Sequence, residues 1–376
     1  MKYSIEGTTQ EELLESFQSC MEKLQSEITN QILHANSNGD VSRANELSVK
    51  LTRDSQVLVE NYRSKLTILL SEQDDLTKSI YKFPCKVDLD LTVYDGDRDY
   101  LLEFNTDPNI QKALKDYEEK VGMYNSRKNL LKSSLKLTQT MAPNIYAIGN
   151  KLKSTLGINS NIEFYVYQEN RFNASVYPPR EDNIYIMLSS SLLEKFKDDE
   201  LTFVIGHELG HALFDHHKYN VNAILDIGKS YLSPLHAIKL FSWGRSAEIS
   251  ADRIGLVCCE SFVAAARAFF KLSSGVTSDS LAFQLDEYIK QFVDLSAELA
   301  DEQVSPEDWY STHPFSPLRI KALELFSRSK TYSDLINKEI EWNYTEEEME
   351  TEISQFMSLM GKRSIIPPVL SKSFFC

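Results

Sequence analysis

The sequence predicts a mainly helical α+β protein, with a compact domain built around a small mixed sheet and a helical hairpin before it. Two long N-terminal stretches carry apolar residues at helical spacing. Two short apolar runs, at 162–167 and 184–188, have the length and the β-branched and aromatic content of strands. Helical segments lie on both sides of these runs, which is typical of an α+β domain.

The N-terminal hairpin is predicted from two amphipathic segments. Residues 9–35 predict a helix whose apolar residues alternate in steps of three and four: Leu14, Phe17, Met21, Leu24 and Ile28. Turn-forming residues at 36–40 end it. A second helix follows, with one apolar face: Leu47, Leu51, Leu58, Tyr62, Leu69 and Leu76. This apolar seam suits packing onto the catalytic domain, self-association, gating of substrate entry or binding of a partner, and packing within the chain is the favoured interpretation.

The remaining elements divide the chain into three parts. Strict alternation over 87–93 predicts a short strand, and Asp107-Pro108 marks a helix start. Helical pattern then runs with interruptions to about residue 153, and Pro143 opens a new helix. Further helices are predicted over 198–214, 246–272, 317–327 and 344–360. We therefore divide the chain into a helical N-terminal region (1–130), a catalytic domain (131–330) and a C-terminal helix with its tail (331–376).

Composition excludes several classes of protein. A net charge of -15 over 376 residues repels phosphate backbones, so a nucleic-acid partner is not expected. No run of about 18 apolar residues predicts a membrane span. The first 16 residues lack the apolar stretch of a secretory signal, and the five cysteines form no paired spacing. These features predict a soluble cytoplasmic protein with free thiols.

The sequence His-Glu-Leu-Gly-His, from His207 to His211, predicts a metal centre. Residues four apart lie on one face of a helix, so both imidazoles can bind one ion, and Zn²⁺ favours imidazole nitrogen. Glu208 lies beside them, where its carboxylate can take a proton from a metal-activated water. A surface helix that happens to carry two histidines is the alternative. The apolar residues before the motif predict a buried helix instead, and buried ionisable groups need partners.

A third ligand is expected from a later helix. Glu248 and Asp252 are again four residues apart, so they share a helix face. We predict that Glu248 binds the zinc ion and that Asp252 orients a histidine ring. The alternative is an ordinary helix turn with favourable carboxylates. One Zn²⁺ per chain is therefore the expected cofactor.

Three separated motifs together resemble the gluzincin family of HtpX-like proteases and CAAX prenyl endopeptidases. They are the His-Glu-Leu-Gly-His run, the segment 245–253 and the segment Thr312-His313-Pro314 with Arg319. The resemblance covers roughly residues 135–330 and implies a gluzincin-type catalytic domain. It also implies that His313 lies close to the metal, either stabilising the oxyanion or capping the open position. Arg319 would support the site, or else form a structural salt bridge.

The same resemblance implies a substrate-binding edge strand. Residues at Asn173, Ala174, Ile184 and Ile186 match positions where relatives present such an edge, and an extended polypeptide can pair with it. Many relatives span a membrane around the first motif. Here the segment 212–247 carries charged residues that a bilayer does not accept, so a membrane-embedded substrate is not expected.

Three residues that follow the motif have less specific interpretations. Asp215 either orients the His211 ring or belongs to a solvated helix end, while His216 and His217 are expected at the surface. For the whole protein we predict a zinc-dependent endopeptidase acting on polypeptides. The alternative is a latent or non-proteolytic zinc-binding scaffold that recruits partners through the N-terminal helices.

Overall fold

The computed structural model describes residues 10–38, 40–71, 86–122, 126–180, 182–277, 281–301 and 310–361. The chain divides into two compact units, Met1–Ile80 and Tyr81–Cys376. Among the described helices, none combines the length and the apolar composition needed to cross a bilayer.

The described part of the first unit is an antiparallel helical hairpin. Helix α1 spans Gln10–Ser37 and helix α2 spans Val41–Ser71. The Asp40 carboxylate accepts a hydrogen bond from the Arg43 amide at 3.0 Å and so caps the start of α2. The predicted hairpin is confirmed.

The predicted seam of the hairpin forms its core. Phe17 stacks on Tyr62 with ring centroids 4.6 Å apart. The side chains of Leu14 and Leu69, and the whole of Leu76, lie outside the described parts of the chain. Other members of the predicted seam are buried between the helices: Leu24, Ile28, Leu47 and Leu58.

The second unit is mainly helical with a small sheet, which confirms the predicted fold class. Its described elements are α3 Leu89–Thr92, α4 Asp95–Thr106, α5 Pro108–Gly122, α6 Ser126–Ser133, β1 Leu135–Lys136, α7 Pro143–Leu156, β2 Asn161–Tyr167, β3 Ala174–Arg180, β4 Asn183–Ser189, α8 Ser190–Lys195, α9 Asp198–Leu213, α10 Val221–Gly228, α11 Pro234–Cys259, α12 Phe262–Ser274, α13 Leu285–Asp301, α14 Ser316–Ser327, α15 Lys330–Ile336 and α16 Glu346–Met357. Short 3-10 helices cover His216–Tyr219 and Ser358–Gly361.

The sheet is mixed, and in the described residues its strand order is β1-β2-β4-β3. Strands β2 and β4 run parallel, with Phe164 opposite Ile186. Strands β1 and β3 pair antiparallel at the two edges. The two predicted strands, 162–167 and 184–188, therefore lie side by side in the middle of the sheet. Helices α7 and α9 pack together, α9 also contacts β3 and β4, and apolar residues of all these elements share one buried cluster.

The short strand predicted over 87–93 is wrong. Residues 89–92 form one helical turn, α3, and the Asp88 carboxylate caps it by accepting a hydrogen bond from the Asp90 amide. Leu89, Thr92 and Val93 are buried. Positions three and four apart face the core here, so helical periodicity prevails over the alternation that the sequence also contains.

The helix predicted over 246–272 is two helices. Helix α11 begins earlier, at Pro234, and ends at Cys259. Glu260 then adopts a left-handed conformation with φ of 53°, and Ser261 caps the start of α12 at Phe262. No glycine or proline marks this break in the sequence.

Helices α9 and α11 approach each other closely at the centre of the second unit. A Cβ atom on Gly210 would lie 2.9 Å from the Cα atom of Ala251, and one on Gly255 would lie 2.9 Å from the Phe203 carbonyl oxygen. Any side chain larger than hydrogen at these positions would push the helices apart. The glycines therefore let the two helices bring their side chains together.

The second unit extends beyond the predicted catalytic domain at both ends. Helix α4 packs on α11 on one side, and α16 packs on α14 on the other. The predicted boundary at residue 130 therefore lies inside this unit, and so does the one at 330.

Candidate metal centre

Helix α9 carries the predicted motif on its inner face. The Nε2 atoms of His207 and His211 lie 3.1 Å apart, and their rings are nearly perpendicular, at 87°. Glu208 is buried beside them. The helix is enclosed nearly all round, because most residues from Glu200 to Leu213 are buried. The motif is therefore part of the interior and not of a solvated helix surface.

Helix α11 supplies the predicted third group. Glu248 places Oε2 at 3.6 Å from Nε2 of His207 and Oε1 at 3.4 Å from Nε2 of His211. One ligand atom from each residue can be chosen so that all three lie within 4.8 Å of one another. In the part of the chain that the structure describes, these residues form the one His, Cys, Asp or Glu cluster of that kind.

The three groups fit a zinc ion. In a tetrahedral site with bonds of about 2.0–2.1 Å, neighbouring ligand atoms lie about 3.3–3.4 Å apart. The two imidazole Nε2 atoms lie 3.1 Å apart, and they lie 3.6 and 3.4 Å from different oxygens of Glu248, which is close to that spacing. Two imidazole nitrogens and one carboxylate oxygen are also a donor set that zinc prefers, with a fourth position left for water or substrate.

Asp252 and Arg319 surround these groups with charge. Asp252 Oδ1 lies 2.9 Å from Nδ1 of His207, the ring nitrogen on the side away from Glu248. Arg319 donates two hydrogen bonds to Asp252, at 2.6 and 2.8 Å, and its third nitrogen lies 3.0 Å from Oε2 of Glu248. Arg319 therefore contacts both carboxylates of α11 at the same time.

The charges around the site keep its carboxylates ionised. Burial acts to raise the pKa of Glu248, but Arg319, His313 and His211 outweigh it and hold the pKa well below its usual value. Burial likewise opposes ionisation of Asp252, and Arg319 and His207 lower its pKa. At His211, the Glu248 carboxylate outweighs burial and raises the pKa.

His313 lies at the open side of the cluster. Its Nε2 is 3.4 Å from Oε1 of Glu248, and its side chain is 64% exposed, in contrast to the buried groups around it. Its Nδ1 is within hydrogen-bond distance of the Thr312 hydroxyl, at 2.9 Å. The imidazole therefore faces both the candidate ligand Glu248 and solvent.

The expectation that His216 lies at the surface is wrong. His216 is 6% exposed, its Nδ1 lies 2.8 Å from Nδ1 of His211, and its Nε2 lies 3.0 Å from Oδ2 of Asp97. His217 is not fully at the surface either, because its side chain is 14% exposed, and its Nε2 lies 2.7 Å from Oδ1 of Asp215. His216 therefore contacts the Nδ1 side of the His211 ring.

The pKa shifts of this buried pair favour a neutral imidazole beside a carboxylate. Burial lowers the pKa of His216. Burial acts to raise the pKa of Asp97, but the charge and hydrogen bond of His216 and the hydrogen bonds of Ser250 and Trp243 outweigh it and lower the pKa. No sequence motif connects Asp97 with His211, because the two lie far apart in the chain and on different helices.

The substrate strand predicted from the resemblance needs a correction. The edge next to helix α9 is β3, which begins at Ala174, directly after Asn173. Ile184 and Ile186 lie on β4, which is paired on both sides, and both side chains are fully buried. They cannot offer an open edge, because strand order decides which strand is outermost and the sequence does not encode it locally.

Comparison with known proteins agrees with this site. The family model described as Peptidase family M48 matches residues 139–326, which is 188 of 376 residues and thus half of the chain. The chain belongs to peptidase family M48. The match includes the cluster of His207, His211 and Glu248 together with His313 and Arg319. The predicted membership of an HtpX-like and CAAX-type gluzincin family is confirmed at this level.

A curated relative supports the assignment. The chain is 28% identical over 193 residues to "Plastoglobule-localized metallopeptidase 48, chloroplastic" of Arabidopsis thaliana. The alignment covers 47% of this chain and 55% of that relative, so it spans little more than half of the relative's length. No solved structure matches the chain. Asp97 lies outside the segment 139–326 that defines the M48 match.

Proposed function

We propose that this M48 family member is a zinc-dependent endopeptidase with one ion per chain. His207, His211 and Glu248 are the proposed ligands, and Glu208 is the proposed general base. The observation that carries the proposal is the convergence of two imidazoles of α9 and one carboxylate of α11 within 4.8 Å. The family match supports it, because it covers all four residues.

Zinc held by these residues would lower the pKa of a water molecule and polarise a peptide carbonyl. Glu208 accepts the proton of the attacking water and then passes it to the leaving amine nitrogen. A buried carboxylate suits this role, because exclusion of bulk water strengthens its interaction with the proton that it transfers.

The neighbouring residues hold and complete the site in this proposal. Asp252 Oδ1 lies 2.9 Å from Nδ1 of His207, where it favours a proton on Nδ1 and so leaves Nε2 free for the metal. Arg319 fixes Asp252 and Glu248 relative to each other. His313 is exposed at the open side, where its Nε2 can donate a hydrogen bond to the oxyanion of the substrate.

The proposed substrate is an extended polypeptide that pairs with β3. This strand forms one edge of the sheet, and it contacts α9, the helix that carries the ligands. Pro178 and Pro179 have no amide hydrogen, so a ladder of backbone hydrogen bonds can form only along the half of the strand that begins at Ala174. Side chains on β4 would support this edge from within the sheet.

The general base is tested by Glu208→Gln. We expect the variant to retain one zinc per chain and to lose cleavage of casein and of quenched fluorescent peptides. The reason is that the amide cannot accept the proton of the water. Zinc content is measured by mass spectrometry of the metal in purified protein. Glu194→Gln, an exposed position on α8, makes the same change of charge and is the matched control.

Two results would contradict the proposal in different ways. Cleavage by Glu208→Gln at the rate of the parent would remove Glu208 from the mechanism. An inactive parent with stoichiometric zinc would favour a latent or scaffolding protein.

The family match does not favour that alternative, and the comparisons give no support to partner binding through the N-terminal helices. The cytoplasmic location stays a prediction, since the relative is named for a chloroplast compartment.

A further inference from the structure

A chain of buried polar groups contacts the Nδ1 side of the His211 ring. This chain begins at Asp97, which lies outside the segment that matches family M48. Nδ1 of His211 lies 2.8 Å from Nδ1 of His216, and Nε2 of His216 lies 3.0 Å from Oδ2 of Asp97. Asp97, on α4, is fully buried. It accepts further hydrogen bonds from the Trp243 indole at 2.8 Å and the Ser250 hydroxyl at 2.7 Å.

The positions of the protons follow from counting donors and acceptors along this chain. A neutral imidazole that binds a metal through Nε2 carries its proton on Nδ1. His211 must then donate to His216, so Nδ1 of His216 is the acceptor and its proton is on Nε2. That proton points to Asp97, which accepts it. One tautomer of each ring therefore satisfies both short contacts.

We infer that Asp97 and His216 are positioning residues which hold His211 as the Nδ1–H tautomer, with Nε2 aimed at the ion. This inference rests on the proposed metal site. It means that α4, although outside the segment 139–326, completes the metal centre.

The two histidine ligands are thus oriented in different ways. His207 meets a carboxylate directly, since Asp252 lies 2.9 Å from its Nδ1. His211 is too far from Asp97 for direct contact, so His216 transmits the effect of the carboxylate. In both cases a negative charge behind the ring makes Nε2 a stronger metal ligand.

Asp97→Asn is the informative variant, because it changes one acceptor atom and almost no volume. Trp243 donates to one oxygen of Asp97, and His216 and Ser250 donate to the other. The amide NH₂ group of asparagine would therefore face a donor in either orientation. The indole of Trp243 cannot give up its proton, whereas an imidazole can exchange tautomers. The NH₂ group of the new asparagine therefore turns towards His216. The ring proton of His216 then moves from Nε2 to Nδ1, where it would face the Nδ1 proton of His211.

The matched control is a second histidine–aspartate pair that does not contact the metal centre. Nε2 of His236 lies 3.1 Å from Oδ2 of Asp107, and Nδ1 of His236 accepts a hydrogen bond from the Ser233 amide at 2.8 Å. Its tautomer is thus the one inferred for His216. In Asp107→Asn the new residue still caps α5, because asparagine is as good an N-cap as aspartate.

The experiment uses the full chain loaded with zinc and has two readouts. Nitrogen-15 NMR of labelled histidines reports which ring nitrogen carries the proton, and competition with a chelator reports zinc affinity. We expect the parent to show the proton of His216 on Nε2. Asp97→Asn should move that proton to Nδ1 and weaken zinc binding about 10- to 100-fold. Asp107→Asn should leave zinc affinity unchanged.

The outcomes separate this inference from the proposed function. A parent that does not bind zinc overturns the metal site itself. A parent that binds zinc but carries the His216 proton on Nδ1 overturns the inference alone. Equal zinc affinity of Asp97→Asn and Asp107→Asn would also overturn it. The tautomer of the parent needs no substitution, so the test holds even if a variant folds poorly.

Discussion

At the scale of single residues, the site depends on buried charges of opposite sign, which compensate one another where water does not solvate them. Glu248 and Asp252 are both buried, and Arg319 contacts both with its planar fork of donors. The guanidinium also lies over the Phe269 ring, 4.8 Å from its centroid. A rigid, planar cation can join two carboxylates in this way, whereas an ammonium group cannot form the same fork.

Loss of this cation should destabilise the protein strongly. In Arg319→Met the hydrocarbon of the side chain is largely kept but two buried carboxylates lose their counter-charge, so we expect a loss of about 3–5 kcal/mol in the free energy of unfolding. Arg319→Lys should lose less, because it keeps the charge and gives up only the fork. The measurement is urea unfolding in the presence of a chelator, so that zinc does not mask the effect.

A second arginine on the same chain segment provides the control for Arg319. Arg328 pairs with Glu324 at 3.2 Å, but its side chain is 55% exposed. Arg328→Met should therefore cost no more than about 1 kcal/mol. An equal loss in the free energy of unfolding for both variants would show that the buried ion pairs of Arg319 stabilise the protein no more than the exposed pair of Arg328.

The residues that the sequence could identify are those held by local geometry. The spacing of His207 and His211, and of Glu248 and Asp252, places each pair on one helix face without knowledge of the fold. Asp97 reaches His211 only through tertiary packing, so nothing local predicts it. His216 is an intermediate case, because its position after the ligand helix gives no indication that the chain turns back and buries it.

At the scale of elements, the distance between α9 and α11 decides whether the proposed ligands meet. Gly255 lies against the backbone of Phe203, so an added Cβ atom there would be 2.9 Å from a carbonyl oxygen that cannot move freely. The helices carry the proposed ligands on facing sides, and a shift between them would separate Glu248 from the two imidazoles.

Gly255→Ala should therefore reduce both stability and zinc affinity. We expect a loss of about 1–3 kcal/mol in the free energy of unfolding from overpacking, even though alanine favours the helix. Gly244, on the same helix, is the control. A Cβ atom there lies 3.4 Å from its nearest neighbour, so Gly244→Ala should be neutral or stabilising by up to about 1 kcal/mol. Equal stability of the two variants, measured by urea unfolding, would disprove close packing at Gly255.

Elements were predictable where one periodicity dominated, and not where two competed. The long hairpin was confirmed because it repeats one pattern over many residues, and the two central strands were confirmed because a continuous apolar run suits a strand buried in the sheet. The segment 87–93 fits both alternation and a single helical turn, and burial of Leu89, Thr92 and Val93 favours the turn. The break between α11 and α12 lies at Glu260. Glutamate is not a residue type that indicates a left-handed backbone conformation.

At the scale of the whole molecule, the folded second unit is larger than the segment that matches family M48. Arg253 of α11 is almost fully buried, and it donates hydrogen bonds to the Val93 carbonyl and to Glu350 of α16. One side chain thus joins the segments before and after the M48 match. Nothing local in the sequence predicts this connection, because an arginine in a helix is most often a surface residue.

These contacts predict which shortened chains will fold. A chain of residues 81–376 retains every contact described for the second unit, so it should unfold cooperatively and bind zinc with the affinity of the full chain. A chain of residues 131–376 lacks Asp97 and also Phe104, whose ring lies 6.3 Å from that of Trp243. Its buried Arg253 loses the Val93 carbonyl as well. We therefore expect it to show no cooperative thermal transition and weak zinc binding.

Comparison of the two shortened chains also separates folding from function in the N-terminal region. If residues 131–376 unfold at the temperature of the full chain and bind zinc equally well, then the segment 86–122 is not part of the folded unit in the way its contacts indicate. If residues 81–376 keep zinc and stability but lose peptide cleavage, the helical hairpin contributes to catalysis or substrate binding and not to folding. Retained cleavage would instead place every group needed for hydrolysis within residues 81–376.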